Sequence, residues 1–103
     1  MSTLEERIKN SVQVGRIPLR DVPFQEVNLK GFASWLHFGV DADESLCLWG
    51  MMYAYPEAEE RTSWSMGVFI LRDGMMIPEG LYASGHKTSF LYKGQMIHIF
   101  SQT

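Results

Sequence analysis

The sequence predicts a mainly β protein: a single antiparallel β-barrel or sandwich with a short N-terminal helix. Three observations predict this class. Turn-forming residue pairs recur at short intervals between apolar runs, which is typical of antiparallel strands. No long helical pattern separates the predicted strands, as a parallel sheet would require. Hydrophobic residues make up 46% of the chain, and closure into a barrel would protect the edges of such an apolar sheet.

Length predicts one domain covering residues 1–103. A chain of 103 residues is long enough for a single hydrophobic core but too short for two domains. We divide it into a short helix over residues 1–11, an extended arm with an edge strand over residues 12–30, and the antiparallel β-barrel over residues 31–103.

The N-terminal part predicts little regular structure. Ser2 or Thr3 can cap the short helix, because a hydroxyl accepts a hydrogen bond from the free backbone N–H groups of a first helical turn. Gly15 and Pro18 interrupt the next segment, which limits it to one short edge strand. The alternation over residues 24–29 indicates another strand.

Longer strands follow. Residues 32–40 alternate, with two predicted faces: Phe32, Ser34, Leu36, Phe38 and Val40 on one, and Ala33, Trp35, His37 and Gly39 on the other. Residues 46–55 are apolar on both faces, as expected of a strand that is covered on both sides. Near the C-terminus, residues 87–92 and 95–101 predict two strands joined by a two-residue turn at Lys93-Gly94.

Residues 64–83 are the centre of the predicted fold. A strand over residues 66–71 leads to Asp73-Gly74, a dipeptide that tolerates the positive φ angles of a tight hairpin turn. The sequence therefore predicts a β-hairpin with a short apolar return strand. A corner at Pro78-Glu79-Gly80 then leads into another strand.

Charge, cysteine content and hydropathy argue against several classes of protein. The net charge is −3 and no basic run interleaved with aromatic residues occurs, which argues against nucleic-acid binding. The N-terminus lacks the apolar segment of a signal peptide, and no apolar run reaches the roughly 18–20 residues that span a bilayer. Cys47 is the single cysteine, which excludes an internal disulfide. We therefore expect a cytoplasmic protein that does not bind membranes.

The sequence contains none of the common catalytic or cofactor motifs. His37, His86 and His98 lack the close spacing of preassembled metal sites. The serines lack the GxSxG context of a nucleophile elbow. Cys47 lies in an apolar strand, where burial makes a thiol inert. The sequence therefore predicts no catalytic residue, no metal and no cofactor, and it favours a protein that is not an enzyme.

From about residue 31 onward the chain resembles a small cupin-like β-barrel with a degenerate metal motif. The resemblance is carried by the strand over residues 68–71, the turn Asp73-Gly74, the corner over residues 77–82, and then His86 and Gly94. It implies a barrel with an internal pocket. Residues 61–66 stand where cupins carry the paired histidines and the glutamate of their first metal motif. The resemblance therefore implies a barrel whose usual metal site is absent or rebuilt.

A second resemblance covers residues 50–87. Its segments GMMYAYPE, RTSWSMGVFI and IPEGLYASGHK are similar to the effector-binding domains of gyrase-inhibitor-like and drug-sensing regulators. That family alternates strands with two helices, whereas this sequence shows no central helical pattern. Both resemblances imply an internal pocket for a small molecule.

The residue composition fits such a pocket. Seven Met, three Trp and six Phe can fill a core, or they can hold an apolar or cationic organic ligand. We predict a ligand-binding pocket inside the barrel, lined by Trp35, His37, Trp49, Met51, Tyr53, Trp64, Met66 and Tyr82. In one alternative, the protein is an interaction module that forms a homodimer through an exposed sheet face or edge carrying Trp and Met side chains. In the other, His37, His86 and His98 converge on the metal of a cupin-type enzyme.

Overall fold

A computed structural model describes residues 12–29, 31–53, 65–82 and 84–102. These residues form seven strands: β1 (Val12–Pro18), β2 (Phe24–Asn28), β3 (Phe32–Val40), β4 (Leu46–Tyr53), β5 (Ser65–Arg72), β6 (His86–Tyr92) and β7 (Gln95–Gln102). The strands pair antiparallel, which confirms the predicted mainly β, antiparallel class. The helix predicted over residues 1–11 lies outside the described residues.

In the described part of the chain, the strands make two sheets and no closed barrel. A three-stranded sheet has the order β1-β4-β3, and a four-stranded sheet has the order β2-β5-β7-β6. The sequence predicts residues 12–30 as an arm with one edge strand. The structure has β1 and β2 there, and each lies at the edge of its own sheet.

The inner faces of the two sheets share one hydrophobic core. Neighbouring side chains of a strand lie on opposite faces, so alternate residues point into this core. Its buried members come from both sheets and their flanking segments: Leu19, Val27, Leu29, Phe32, Phe38, Leu46, Leu48, Met66, Val68, Ile70, Tyr92, Ile97 and Ile99. Each large apolar side chain among them stabilises the fold by about 1.5–3 kcal/mol relative to an exposed position.

Strand β3 departs from the regular alternation that the sequence predicts. Its pairing with β4 shifts twice, between Phe32 and Ser34 and between Trp35 and His37. Each shift is a β-bulge, in which one extra residue reverses the faces of the residues that follow. Trp35 therefore packs against the core with Phe32 and Phe38. The prediction that Trp35 lies on the opposite face from these rings is wrong.

Gly50 leaves room for the Phe32 ring in the core. A Cβ atom at position 50 would overlap the Cζ and Cε2 atoms of this ring, and it would lie 2.9 Å from the carbonyl oxygen of Ser34. Phe32 is buried, with 1% of its surface exposed. Any side chain at position 50 would therefore have to displace a large ring from a densely packed interior.

The turn at Asp73-Gly74 forms as predicted, but the hairpin does not. Met75 donates its backbone N–H to the carbonyl oxygen of Arg72 at 3.0 Å, and Gly74 has a φ angle of 88°. The segment that follows is a loop. Strand β5 pairs with β2 and β7 instead of a return strand, so the hairpin prediction is wrong.

Burial of Leu81 explains the course of this loop. Leu81 packs on Leu71 and Phe100 in a second apolar cluster, which lies on the outer face of the four-stranded sheet. Gly85 donates its backbone N–H to the carbonyl oxygen of Leu81 at 2.7 Å, and the Gly85 carbonyl accepts the N–H of Ser101 at 2.9 Å. The loop therefore crosses the sheet, and the next strand begins only at His86.

The two-residue turn predicted between β6 and β7 is confirmed. Lys93 and Gly94 have φ angles of 49° and 79°, the left-handed values that a tight hairpin turn requires. The turn pairs Tyr92 with Gln95. Because register extends along an antiparallel pair, this turn determines which residues of the two strands lie opposite one another.

Polar contacts join segments that are distant in sequence. The Tyr92 hydroxyl donates to the carbonyl oxygen of Glu44 at 3.1 Å. The Arg72 guanidinium lies 3.0 Å from the Asp21 carboxylate, and its Nε donates to Oε1 of Gln95 at 2.7 Å. Because the Arg72 side chain is 28% exposed and that of Asp21 37%, we expect a contribution of about 0.2–1 kcal/mol from their ion pair.

Replacing Gly50 with Ala tests the packing of Phe32. We expect Gly50→Ala to lower the free energy of unfolding by about 1–3 kcal/mol, because the new methyl group overpacks the core. Urea unfolding followed by tryptophan fluorescence measures this change. Gly67→Ala is the matched control, since its Cβ would meet the half-exposed Phe24 ring at 3.2 Å and that ring can move. Equal stabilities of the two variants would contradict the described packing.

Burial of Cys47 predicts an unreactive thiol. The residue is 1% exposed, and desolvation raises the pKa of the thiol. We expect the native protein to resist iodoacetamide, which should alkylate the urea-unfolded chain readily. The native state also holds the thiol proton more tightly. The free energy of unfolding should therefore fall as the pH rises above about 8.5, the usual thiol pKa.

Cys47→Ala is the control for this pH dependence. This variant has no titrating thiol. Its free energy of unfolding should therefore not show the decrease at high pH that we expect for the wild type. Equal alkylation rates in the native and unfolded wild-type protein would show that the thiol is not buried.

Candidate functional site

Strand β7 has apolar residues on one face and a histidine on the other. Ile97 and Ile99 are fully buried in the core, so His98 and Phe100 lie on the outer face of the four-stranded sheet. Strand β7 is flanked by β5 and β6. Side chains from three strands and their connections therefore meet around His98.

Four polar side chains form a hydrogen-bonded row on this outer face, which we call the His98 network: Asp73, His98, Ser89 and His86. Nε2 of His98 lies 2.7 Å from Oδ1 of Asp73. On the other side of the ring, Nδ1 of His98 lies 2.8 Å from Oγ of Ser89. The same Oγ lies 2.8 Å from Nε2 of His86. The serine oxygen is therefore held between two imidazole rings.

Strand register accounts for two of these contacts. The tight turn places Ser89 directly opposite His98 across β6 and β7. The pairing shifts between His86 and Thr88, and this bulge brings His86 to the same face as Ser89. A regular strand would put residues of odd separation on opposite faces. The His86 ring also packs edge-on against Phe100, with 5.2 Å between ring centroids.

Asp73 joins the network from the turn after β5. Leu71 lies opposite His98 in the register of β5 and β7, so this turn begins beside the histidine ring. The Asp73 side chain is 80% exposed and the His98 side chain 30%. The neighbouring Arg72 directs its guanidinium to Asp21 instead. Among the described residues, Asp73 is therefore bound by His98 through one oxygen, and its second oxygen is open to solvent.

The bonding pattern assigns a hydrogen atom to each contact. A carboxylate only accepts hydrogen bonds, so Nε2 of His98 carries the hydrogen that Asp73 accepts. In a neutral ring Nδ1 is then an acceptor, and the Ser89 hydroxyl donates to it. The Ser89 oxygen in turn accepts the Nε2–H of His86. The Ser89 hydroxyl thus donates to the His98 ring, and the Asp73 carboxylate orients this ring. This is the connectivity of a Ser-His-Asp triad, except that here the serine contacts Nδ1 and the carboxylate contacts Nε2.

A groove of about 260 Å³ adjoins the network. Besides Asp73 and His98, its lining is mainly apolar and consists of Leu71, Arg72, Gly74, Met75, Ile77 and Phe100. Met75 and Ile77 belong to the loop after β5 and are 42% and 43% exposed. The groove therefore combines apolar walls with one exposed carboxylate.

The residues predicted to line one pocket lie in different parts of the structure. Met66 is fully buried in the core between the sheets, and Trp35 packs against this core. Tyr82 is 69% exposed on the loop before β6, and Trp64 lies outside the described residues. The outer face of the three-stranded sheet holds the others: His37, Trp49, Met51 and Tyr53. The described members do not surround one space, and their ligand-binding role stays a prediction.

The outer face of the three-stranded sheet carries a group of mainly apolar side chains beside the charged Arg16, which lies opposite Trp49. We call this group the aromatic face: Val12, Val14, His37, Trp49, Met51 and Tyr53. The His37 and Trp49 rings lie 5.9 Å apart. Both rings lie over Gly39, where a Cβ atom would come within 2.6 Å of Nε2 of His37. The absence of a side chain at Gly39 therefore allows the two rings to meet.

The three histidines do not converge. His37 lies on the outer face of the three-stranded sheet, whereas His86 and His98 lie on the outer face of the four-stranded sheet. In the part of the chain that the structure describes, no three His, Cys, Asp or Glu side chains stand close enough together to hold a metal ion. These residues therefore do not form the three-histidine metal site of the cupin-type alternative.

Comparisons with known proteins show no family for this chain. No family model, curated protein or solved structure matches it. The resemblances to cupins and to effector-binding domains therefore stay predictions. Within the described ranges, no helix has the length and apolar character that a membrane crossing needs.

Sequence reasoning misses Ser89 and Asp73 as members of a site. A signal for Ser89 exists, because the predicted turn at Lys93-Gly94 by itself places Ser89 opposite His98. Asp73 has no comparable signal, since its contact with His98 joins residues 25 positions apart. The bulge in β6 likewise follows from packing and not from a residue pattern.

The His98 network predicts the tautomers of two histidines. We expect neutral His98 and His86 both to carry hydrogen on Nε2, because Asp73 and Ser89 accept these hydrogens. Two-bond ¹H–¹⁵N correlation spectra distinguish the tautomers. Asp73→Ala should give a mixture for His98, and the exposed His37 is the internal control. An Nδ1–H tautomer of His98 in the wild-type protein would contradict the network.

Proposed function

We propose that this protein binds a small organic cation with an apolar part in the groove beside the His98 network. One observation carries the proposal: the Asp73 carboxylate, 80% exposed, lies at a groove whose walls are otherwise mainly apolar. An ammonium group would bind the open carboxylate oxygen while the hydrocarbon part covers the walls. This ligand class is the one expected from the sequence, but the site is on a sheet surface and not inside a barrel.

The charges around the groove favour a cation over an anion. Arg72 also lines the groove, but its guanidinium is bound to Asp21 at 3.0 Å and to Gln95 at 2.7 Å. His98 donates its Nε2–H to Asp73 at 2.7 Å. The Asp73 carboxylate is therefore the charge that an incoming ligand meets.

The contacts of the groove hold it ready for a ligand. Asp73 is already oriented by its hydrogen bond to His98, so binding a cation costs less side-chain entropy than at a free carboxylate. The sulfur of Met75 accepts the backbone N–H of Arg72 at 3.2 Å, which keeps this flexible side chain near the wall. A Met side chain can adapt to ligands of different shape.

The size of the groove limits the affinity. A volume of about 260 Å³ holds a ligand with several carbon atoms. Burying about 100 Å² of hydrocarbon contributes roughly 2.5 kcal/mol, and an exposed charge pair adds about 0.2–1 kcal/mol. We therefore expect dissociation constants in the millimolar range for probes of this size, since about 4 kcal/mol corresponds to 1 mM.

Three probes with six carbon atoms each test the proposal: hexylammonium, hexanol and hexanoate. We expect hexylammonium to bind most tightly and hexanoate least, because the Asp73 charge attracts the first and repels the last. Titrations followed by ¹H–¹⁵N NMR should shift the amide signals of Gly74 and Met75. Tighter binding of hexanoate, or shifts confined to other surfaces, would sink the proposal.

Two variants distinguish the effect of the Asp73 charge on ligand affinity from the effect of the net charge of the protein. Asp73→Asn should abolish the difference in affinity between hexylammonium and hexanol. Glu26→Gln removes another exposed carboxylate, on edge strand β2 of the same sheet, and should leave this difference unchanged. If the two variants have equal effects, the preference reflects net charge only and the proposal fails.

A second candidate function is self-association through the aromatic face. The observation that favours it is the exposure of Val12 and Val14, 42% and 70%, on the same face as Trp49 and Met51. These valines belong to β1, an edge strand of its sheet. Pairing with β1 of a second copy would join the two sheets edge to edge and place the valines of the two copies side by side in a symmetric interface.

Light scattering coupled to size-exclusion chromatography tests this candidate. We expect a dimeric wild type and a monomeric Val14→Lys variant, because a charge on an edge strand opposes pairing. Leu91→Lys is the control, since Leu91 is 71% exposed on the other sheet and its replacement should leave the mass unchanged. A wild-type monomer at high concentration would exclude this candidate.

A further inference from the structure

The Ser89 hydroxyl lies between a base and a hydrogen-bond donor. Its oxygen is 2.8 Å from Nδ1 of His98 and 2.8 Å from Nε2 of His86. The His98 ring is oriented by Asp73 through a contact of 2.7 Å. Connections of this kind activate the serine of acyl-transfer enzymes, because the oriented imidazole can accept the hydroxyl proton.

We propose that Ser89 is a nucleophile that attacks small carboxylic esters. The inference rests on the proposed function, because the groove would hold the apolar or cationic part of the ester while its carbonyl carbon reaches Ser89. His98 connects the two places, since it lines the groove and also accepts the Ser89 hydroxyl hydrogen.

The surroundings leave Ser89 within reach of a substrate. Ser89 and His98 are both partly exposed. Leu91 and Met96 are paired across β6 and β7, lie next to them on the same outer face, and are 71% and 38% exposed. They provide a second apolar surface, on which the acyl part of an ester can pack.

The reaction proceeds by acylation and deacylation. Oγ of Ser89 adds to the carbonyl carbon, and its proton passes to Nδ1 of His98, which becomes an imidazolium. The imidazolium gives this proton to the leaving alcohol as the C–O bond breaks, and the acyl group remains on Ser89. Water then attacks the acyl group, again with His98 accepting and returning a proton. The carboxylic acid is released and the serine is restored.

Asp73 and His86 have different roles in this reaction. Asp73 accepts the Nε2–H of His98 and stabilises the positive charge that forms on the ring. His86 points its Nε2–H at the Ser89 oxygen. Once this oxygen is bonded to carbon, the same N–H can donate to the neighbouring oxyanion of the tetrahedral intermediate.

Covalent labelling tests the nucleophile directly. We expect a small alkyl fluorophosphonate to add one phosphonyl group per chain in intact-mass spectra, and peptide mapping should place it on Ser89. Ser89→Ala should stay unlabelled. Ser65 and Ser84 are exposed and lie outside the His98 network, so they serve as internal controls. Labelling of these serines as fast as Ser89 would overturn the inference.

Rates distinguish an activated serine from an exposed one. Hydrolysis of p-nitrophenyl acetate should slow about 100-fold in His98→Gln and about 10-fold in Asp73→Asn, because general-base catalysis is lost or weakened. The wild-type rate should depend on pH through the His98 base, and His98→Gln should lack this dependence. Glu26→Gln, on edge strand β2 and outside both the groove and the His98 network, should leave the rate nearly unchanged. Equal rates and pH profiles in the wild type and His98→Gln would overturn the inference.

A thiol at position 89 keeps the inference testable if Ser89→Ala or His98→Gln fails to fold. In a folded Ser89→Cys variant, the new thiol faces the His98 base and should react with iodoacetamide much faster than Cys47, which is 1% exposed. A folded variant in which neither thiol reacts would overturn the inference.

The inference and the proposed function fail separately. If hexylammonium shifts the groove amides and Ser89 stays unlabelled, the ligand site stands and the nucleophile falls. If Ser89 is labelled while no hexyl probe binds in the groove, the nucleophile stands and the proposed function falls. If both hold, hexylammonium should slow the labelling of Ser89 by competition.

Discussion

Burial of Ile97 and Ile99 sets the positions of the groups around which the candidate site forms. Both side chains are fully buried, and the two-residue period of a strand then directs His98 and Phe100 to the opposite face. Because β7 is flanked by β5 and β6, the same constraint gives His98 a neighbour on each side. The polar network and the apolar groove therefore both follow from one buried strand.

The outer faces of the two sheets suit different kinds of partner. On the four-stranded sheet, the loop anchored by Leu81 packs on Leu71 and Phe100 and turns a flat face into a concave one. Concave, mostly apolar surfaces with a few polar groups suit small ligands. The aromatic face of the other sheet exposes the valines of an edge strand, which suits a second polypeptide. The two proposals thus concern opposite sides of the molecule and can be tested independently.

Local signals predict most of the strands and the turns at Asp73-Gly74 and Lys93-Gly94, whereas tertiary contacts decide the rest. The turn at Lys93-Gly94 needs only its own φ angles, so its residues predict it. The loop after β5 depends on burial of Leu81, which no nearby pattern shows. Two bulges move Trp35 to the inner face of β3, because packing against the core outweighs regular alternation. The Asp73–His98 contact is invisible in the sequence for the same reason.

The members of the His98 network are separated by very different lengths of chain. Ser89 and His98 are 9 positions apart within one hairpin, whereas Asp73 and His98 are 25 positions apart. Hairpins close in about 1–10 μs, and longer loops cost more entropy to close. During folding we therefore expect Ser89 and His98 to meet first and Asp73 to join when β5 docks beside β7. In a partly folded chain the histidine would still lack its carboxylate, so a serine activated as proposed would reach its full reactivity only once both strands are in place.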